Sequence, residues 1–178
     1  MDTLEVRIVD DDFNDLPVGQ PGEAVVRTPA VMEGYWQQEG LTQEVFTEGW
    51  LHTGDIMSRD AEGFFYLHSR KKDMIKSGGE NVFVGEVQTA ILRNPKVADC
   101  VVFGVKDVLL GEAVAAVVQP KAGCTLTQEE VQEGCKSFIA SYKKPRYVVF
   151  CDDIGRNDAG KVRLDRLVEY FHQQRGSC

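Results

Sequence analysis

Beyond residue 84, short apolar runs alternate with segments of helical spacing, and this alternation constrains the fold more than any other feature of the chain. The predicted order is helix, strand, strand, helix, strand and helix, at residues 85–93, 97–105, 113–119, 127–142, 148–151 and 163–174. Thr127, with Glu130 three residues later, favours a helix start at that point. Strands that alternate with helices predict an α+β domain in which a short β-sheet is flanked by helices.

The first part of the chain has a different pattern. Residues 1–36 place short apolar runs, at 4–9 and 24–27, between turn signals such as Pro17-Val18-Gly19 and Pro21-Gly22. This pattern predicts β-hairpins. A β-rich region is therefore expected to precede the α+β domain.

Composition excludes several classes of function. The chain has 178 residues, of which 43% are hydrophobic, so it can bury a core. A net charge of −8 argues against a nucleic-acid surface. No apolar run approaches the roughly 20 residues of a membrane span. Five widely spaced cysteines suit free thiols in a reducing, cytoplasmic compartment and offer no metal pattern, and Cys100 and Cys151 are expected to be buried.

A polar loop precedes the last predicted helix, and it carries the run Gly155-Arg156-Asn157-Asp158-Ala159-Gly160-Lys161-Val162. Glycines on both sides leave such a loop poorly held unless something binds to it. Lys161 places a point charge on a flexible stem, which suits contact with a phosphate or a carboxylate. Taken alone, the run is equally typical of a plain turn that leads into a helix.

A second cluster lies far upstream, at Gly49-Trp50-Leu51-His52-Thr53-Gly54-Asp55 and in the run from Gly63 to Val82. Together with the Lys161 loop and the segment 22–36, it resembles the C-terminal third of the adenylate-forming acyl-CoA synthetases. That superfamily also contains luciferases and the adenylation domains of peptide synthetases. The resemblance covers nearly the whole chain in the right order. It implies that residues 1–71 end an N-terminal adenylating domain and that residues 72–178 form a small C-terminal lid domain.

The resemblance also implies the roles of several residues in the first half-reaction. Lys161 matches the catalytic lysine that contacts the carboxylate and phosphate oxygens during adenylation. Asp55, with Thr53 and Arg70, matches the group that binds the nucleotide ribose, and one carboxylate can accept from both ribose hydroxyls. A plain turn aspartate that caps nearby amides is the alternative interpretation of Asp55.

For the second half-reaction, Lys72 matches the hinge about which the lid rotates. An exposed basic pair, Lys71 and Lys72, is the alternative there. Gly78 and Gly79 match the glycines that line the pantetheine passage, although an ordinary Gly-Gly hairpin explains them equally well. Lys76 matches a lysine of the thioester-forming conformation. The run Ser77-Gly78-Gly79-Glu80-Asn81 resembles the corresponding loop of fatty-acyl and aryl-CoA ligases more than that of peptide synthetases.

The predicted function is therefore that of an acid-thiol ligase, which activates a carboxylic acid as acyl-AMP and transfers it to CoA. The implied cofactors are ATP, CoA and Mg²⁺, with no metal ligand in this chain. No phosphate-binding loop or acyl pocket is recognisable, so the chain is expected to be an inactive fragment whose acid and CoA bind through a missing N-terminal domain. The β-rich first region would then have uncovered strand edges, through which it is expected to self-associate. The alternatives are a regulatory module that docks on a separate adenylating subunit and the lid of a ligase that loads a carrier protein.

Overall fold

The computed structural model describes residues 4–176 and separates the chain into two compact units. The first unit is Met1–Lys72 and the second unit is Asp73–Cys178. The α+β fold class is confirmed, since each unit contains one small sheet and the helices lie mainly in the second. The functional division into the end of an adenylating domain and a lid stays a prediction.

The first unit is a five-stranded antiparallel sheet. Its elements are β1 (Glu5–Val9), β2 (Gly22–Arg27), α1 (Glu39–Glu44), β3 (Phe46–Thr47), β4 (Trp50–Arg59) and β5 (Phe65–Arg70). The strand order is β1-β2-β4-β3, and β5 also pairs with β4. The predicted strands at 4–9 and 24–27 are confirmed, because β1 and β2 pair with Val6 opposite Val26.

A small core supports this sheet. Val9, Val25 and Trp50 form one buried cluster with Phe13 packed against it. The guanidinium of Arg27 lies 4.4 Å from the centre of the Trp50 ring, so a cation covers part of the indole face. The apolar contribution to the stability of this unit is therefore modest.

The second unit contains β6 (Met74–Ser77), β7 (Glu80–Phe83), α2 (Val84–Leu92), β8 (Val97–Asp107), β9 (Gly111–Pro120), α3 (Gln128–Cys135), β10 (Tyr147–Phe150) and α4 (Leu164–Gly176). The sheet order is β10-β9-β6-β7, and β8 pairs with β9 along its length. β10 runs parallel to β9, whereas the other pairs are antiparallel.

Both faces of this sheet are covered. One apolar cluster packs α2 and α3 against one face through residues such as Val87, Ile91 and Val131. A second cluster packs α4 against the other face through Leu167 and Phe171. The six central residues of β9, Ala113 to Val118, are almost fully buried, as expected of a strand between two layers.

The predicted helices are confirmed except for the end of α3. The capping box is present, since Thr127 Oγ1 accepts from Glu130 N–H and the Glu130 carboxylate accepts from Thr127 N–H. The prediction that this helix continues to Tyr142 is wrong, because α3 ends at Cys135. Gly134 weakens its last turn, and a separate short 3₁₀ helix follows at Ser141–Lys143.

Cys100 and Cys135 are fully buried, while Cys151 is only half-buried, so the expectation for Cys151 is wrong in degree. Burial raises the pKa of the Cys100 thiol to about 12. Cys178 lies outside the described residues. Between residues 4 and 176, no helix is long and apolar enough to cross a membrane.

Candidate functional site

Thr53, Gly54 and Asp55 form a bulge in the middle of β4. His52 pairs with Val25 and Ile56 pairs with Glu23, so the three motif residues all lie opposite Ala24. Gly54 has φ +70°, a left-handed conformation that favours glycine. The Thr53 hydroxyl donates to Ala24 O at 2.7 Å and accepts from Asp55 N–H at 3.1 Å. The bulge is thus fixed to β2 and takes Asp55 out of register with that strand.

Asp55 and Arg70 lie opposite each other across β4 and β5. Arg70 Nε lies 2.9 Å from Asp55 Oδ1, and Arg70 Nη1 donates to Thr53 O at 3.2 Å. The Asp55 side chain is 26% exposed and Arg70 is 57% exposed, so a ligand can reach both groups. The structure therefore joins Thr53, Asp55 and Arg70 into one polar patch on the first unit.

Behind this patch lies Glu23, a buried carboxylate that sequence reasoning missed. Its side chain is only 6% exposed. Oε1 accepts from Gly54 N–H at 3.2 Å, while Oε2 lies 2.9 Å from both His52 Nδ1 and Lys71 Nζ. Burial opposes ionisation of Glu23 most strongly, but the hydrogen bonds with Lys71 and His52 outweigh it and hold its pKa below the usual value.

One signal for Glu23 was present in the sequence. It is the only charged residue among the apolar residues that β2 places in the core, next to Ala24 and Val25. A carboxylate at such a position requires cationic or hydrogen-bonding partners. Periodicity does not reveal that these partners are His52, Gly54 and Lys71, which follow 29 to 48 residues later.

Lys71 and Lys72 differ in their side-chain contacts, although they are neighbours in one short 3₁₀ turn. Lys71 binds the buried Glu23 carboxylate and also approaches Asp11 at 3.4 Å. The exposed Lys72 side chain makes no hydrogen bond or ion pair within residues 4–176. Lys72 is also the last residue of the first unit. The simple basic-pair interpretation therefore fails for Lys71 and stays open for Lys72.

Gly78 and Gly79 form the two-residue turn of a tight hairpin between β6 and β7. Their φ angles are +60° and +86°, a combination that favours glycine at both positions. Gly78 N–H donates to Leu110 O, which ties the hairpin to the start of β9. Lys76 N–H donates to Glu112 Oε2 at 2.9 Å. The ordinary hairpin geometry is thus present, and a role in catalysis is an additional proposal.

A cavity of about 420 Å³ opens beside this hairpin. Its lining includes Gly78 and Glu80 from the hairpin region and the side chains of Tyr142, Lys144 and Arg146 from the segment before β10. Two cations and one aromatic ring suit an anionic ligand with a flat group. The second unit therefore combines a glycine hairpin with a cavity, lined partly by Lys144 and Arg146, on the same side.

The Lys161 loop is held by its own hydrogen bonds, contrary to the expectation that it needs a ligand. Asn157 Oδ1 accepts from Lys161 N–H at 2.9 Å, and Asn157 N–H donates to Lys161 O at 2.9 Å. Arg156 forms a two-pronged ion pair with Asp99 and donates to Gly160 O at 3.0 Å. Hydrogen bonds from Arg156 hold the pKa of Asp99 below its usual value.

The Lys161 side chain is exposed, so the shaped loop presents it to solvent. The loop is attached near the end of β9, where Ile154 N–H donates to Gln119 Oε1 at 3.0 Å. The Gly78-Gly79 hairpin is attached at the start of the same strand. β9 has ten residues, which corresponds to roughly 30 Å. The second unit thus carries its two predicted functional loops at opposite ends of its sheet.

Several known proteins are similar to this chain in sequence. Residues 86–161 match the model of the AMP-binding enzyme C-terminal domain. The chain is 42% identical over 160 residues to the long-chain-fatty-acid–CoA ligase of Escherichia coli O6:H1, covering 90% of this chain and 28% of that protein. It is also 42% identical over 160 residues to the indoleacetate–CoA ligase of Aromatoleum aromaticum, covering 90% of this chain and 31% of that protein.

Solved structures give the same result. ATP-bound MatB from Rhodopseudomonas palustris is 34% identical with a TM-score of 0.78, over 94% of this chain and 34% of that one. The o-succinylbenzoate CoA synthetase of Bacillus subtilis, in complex with its acyl-adenylate intermediate, is 33% identical with a TM-score of 0.76, over 92% and 33%. The chain spans about a third or less of each of these relatives. By sequence and by fold, it belongs to the adenylate-forming acyl-CoA synthetase superfamily and corresponds to the C-terminal portion of those enzymes.

Proposed function

We propose that the chain supplies the ribose-binding segment, the hinge and the catalytic lysine of an AMP-forming acyl-CoA ligase. In this reaction, the carboxylate of the acid attacks the α-phosphate of ATP and pyrophosphate leaves. The thiol of CoA then attacks the acyl-AMP carbonyl, the thioester forms and AMP leaves. ATP with Mg²⁺ and CoA are the proposed cofactors, and we assign no Mg²⁺ ligand to this chain. The names of the relatives, which include fatty-acyl and aryl-CoA ligases, favour acids of those classes.

The observation that carries the proposal is the placement of the two loops at opposite ends of β9. Lys161 is exposed at one end on a loop that is already shaped, and its charge would stabilise the transferring phosphoryl group and the acid carboxylate. The Gly78-Gly79 hairpin and the cavity that contains Lys144 and Arg146 lie at the other end, where they would meet the pantetheine arm and phosphates of CoA. One domain can serve both half-reactions if it turns between them.

The first unit would hold the nucleotide through Asp55. This carboxylate is fixed on a bulge, stays partly exposed and lies beside the Arg70 guanidinium. A ribose that offers two neighbouring hydroxyls would donate both to Asp55, while the Arg70 guanidinium, 2.9 Å away, orients the carboxylate. Thr53 positions Asp55 through its hydroxyl rather than by contact with the ligand.

Lys72 would be the hinge. It ends the first unit, and its side chain has no partner among residues 4–176, so its backbone can change without breaking a side-chain contact. A cytoplasmic location belongs to the same proposal and is supported by the four described cysteines, all of which are free thiols.

A test requires the complete enzyme that contains this chain. With ATP, Mg²⁺ and a panel of fatty and aryl acids, we expect acid-dependent exchange of pyrophosphate into ATP, followed by thioester formation with free CoA. Transfer to a phosphopantetheinyl carrier protein in place of CoA would identify a carrier-loading ligase. Absence of pyrophosphate exchange with every acid, together with tight binding of this chain to a separate adenylating subunit, would replace the proposal by a docking module.

The chain by itself gives a second test. Ribose contacts alone are a small part of the binding energy of a nucleotide, so calorimetry should find an ATP dissociation constant no better than about 1 mM. Micromolar binding would contradict the division of the site between this chain and the rest of the enzyme.

A further inference from the structure

The buried Glu23 carboxylate has a geometry that the proposed chemistry does not use. It contacts three groups at once: Gly54 N–H in the bulge of β4, the ring of His52 just before that bulge, and Lys71 Nζ at the end of the first unit. Transfer of an isolated carboxylate into such an environment is costly, so a carboxylate at this position requires partners of this kind.

On one side, Glu23 fixes the nucleotide motif. Its bond to Gly54 N–H lies one residue before Asp55, and the neighbouring residue Ala24 accepts from the Thr53 hydroxyl. The bulge is therefore attached to β2 at two adjacent points. A bulge held in this way presents Asp55 in one orientation instead of several.

On the other side, Glu23 fixes the chain just before the proposed hinge. Arg70 is held by Asp55 and by Thr53 O, and Lys71 is held by Glu23 and Asp11. The next side chain, Lys72, has no partner within residues 4–176. Restraint by side-chain contacts thus ends between Lys71 and Lys72.

We propose that Glu23 is a positioning residue that joins the Asp55 bulge and Lys71 into one rigid block and so confines the hinge to Lys72. This inference rests on the proposed function for the roles of Asp55 and Lys72, whereas the restraint itself is a property of the first unit. It explains why a lid rotation would begin at residue 72 and not at Arg70 or Lys71.

The first measurement uses this chain alone and does not depend on activity. We expect backbone amide order parameters from ¹⁵N relaxation near 0.85 up to Lys71 and a drop towards about 0.6 at Lys72. Glu23→Gln keeps the shape of the side chain but removes its charge, and it should move the drop to Lys71 or earlier. Lys71→Met should do the same, and Lys71→Arg should restore the wild-type profile.

A matched control is available on the same sheet. Glu5 also pairs with a cation, Arg27 at 2.8 Å, but both side chains are about half exposed and far from Lys71 in sequence. Glu5→Gln should leave the order parameters at residues 70–72 unchanged. Equal profiles in wild type, Glu23→Gln and Lys71→Met would overturn the inference, as would a drop that already precedes Lys71 in the wild type.

The second measurement uses the complete enzyme. Glu23→Gln should raise the KM for ATP in pyrophosphate exchange by about five- to twentyfold, because the Asp55 bulge is loosened, while kcat changes by less than about threefold. Glu5→Gln should change neither constant. An unchanged KM for ATP, or an equal loss in kcat, would overturn the positioning role. If the wild-type enzyme forms no acyl-AMP, the proposed function fails and the relaxation profiles alone decide whether Glu23 holds Lys71.

Discussion

The two units differ in how they hold their functional residues. The first unit has a small core around Val25 and Trp50 and fixes its polar patch through one buried carboxylate, Glu23. The second unit has apolar clusters on both faces of its sheet and carries its loops at the surface, where the Arg156–Asp99 pair and the Asn157 side chain shape the lysine loop.

This difference teaches that the two kinds of site need different support. A nucleotide patch that must keep one geometry is served by a buried charge with several partners, which is costly to disturb. A lysine that must approach and leave is served by a shaped loop on a rigid body. We therefore expect the second unit to fold alone and the first to be the less stable. Self-association of the first unit stays a prediction.

The largest effect is expected at Lys161. In the complete enzyme, Lys161→Ala should reduce acyl-adenylate formation by roughly two to four orders of magnitude, because one charge-stabilising group is lost. Thioester formation from supplied acyl-adenylate should change much less. Lys121→Ala, an exposed lysine of the same unit, is the control and should leave both rates unchanged. Equal losses in the two half-reactions of Lys161→Ala would remove the assignment.

The hinge gives the next largest effect. Lys72→Pro fixes φ at one value and should trap one orientation of the lid, so one half-reaction should fall by about a hundredfold or more while the other survives. Lys72→Ala removes the charge but leaves φ free, and it should retain both. A proline variant with both rates intact would show that rotation does not pass through this residue.

Core substitutions compare the two units directly. Phe171 is completely buried between α4 and the sheet, and Phe171→Ala should destabilise the second unit by about 3–5 kcal/mol. Trp50→Ala should instead destabilise the first unit only. Thermal unfolding followed by calorimetry should show two transitions, each lowered by its own substitution. A single transition that both substitutions lower equally would show that the units are not separate.

A smaller effect is expected from pH. The pKa of Glu23 lies below its usual 4.5 in the folded chain, so the carboxylate stabilises the first unit above that pH. This stabilisation is lost as the pH falls below 4.5 through the folded pKa. Denaturant unfolding of the first unit should therefore depend on pH in this window, and Glu23→Gln should reduce the dependence. The reduction should be smaller in Glu5→Gln, because Arg27 also lowers the pKa of Glu5 but this pair is exposed and screened by solvent.

Local features of this fold could be predicted from the sequence. Thr127 and Glu130 lie within one helical turn, and Gly78 and Gly79 are adjacent, so spacing alone predicts the capping box and the hairpin. The resemblance gave the positions of Asp55, Arg70 and Lys161. Nothing local predicts that Asp99 would hold Arg156, because the two residues are separated by 57 positions and meet only when the second sheet is assembled.

The same reason explains the missed role of Glu23. Its partners are brought to it by the register of β2 with β4, and by the bulge at residues 53–55, which no periodicity predicts. The prediction for the end of α3 is wrong because the helical pattern continues past Cys135, whereas the helix ends there and a separate 3₁₀ helix follows at Ser141–Lys143. Contacts that depend on tertiary assembly are thus the part that sequence patterns leave open.

Native-state amide hydrogen exchange of this chain tests the contrast between the two units most directly. We predict that amides of β8 and β9, such as those of Val101 and Val117, exchange slowest, since their hydrogen bonds break only when the whole second unit unfolds. Amides of β1 and β2, such as that of Val25, should exchange faster. Equal or slower exchange in the first unit would contradict the claim that the second unit is the self-sufficient body.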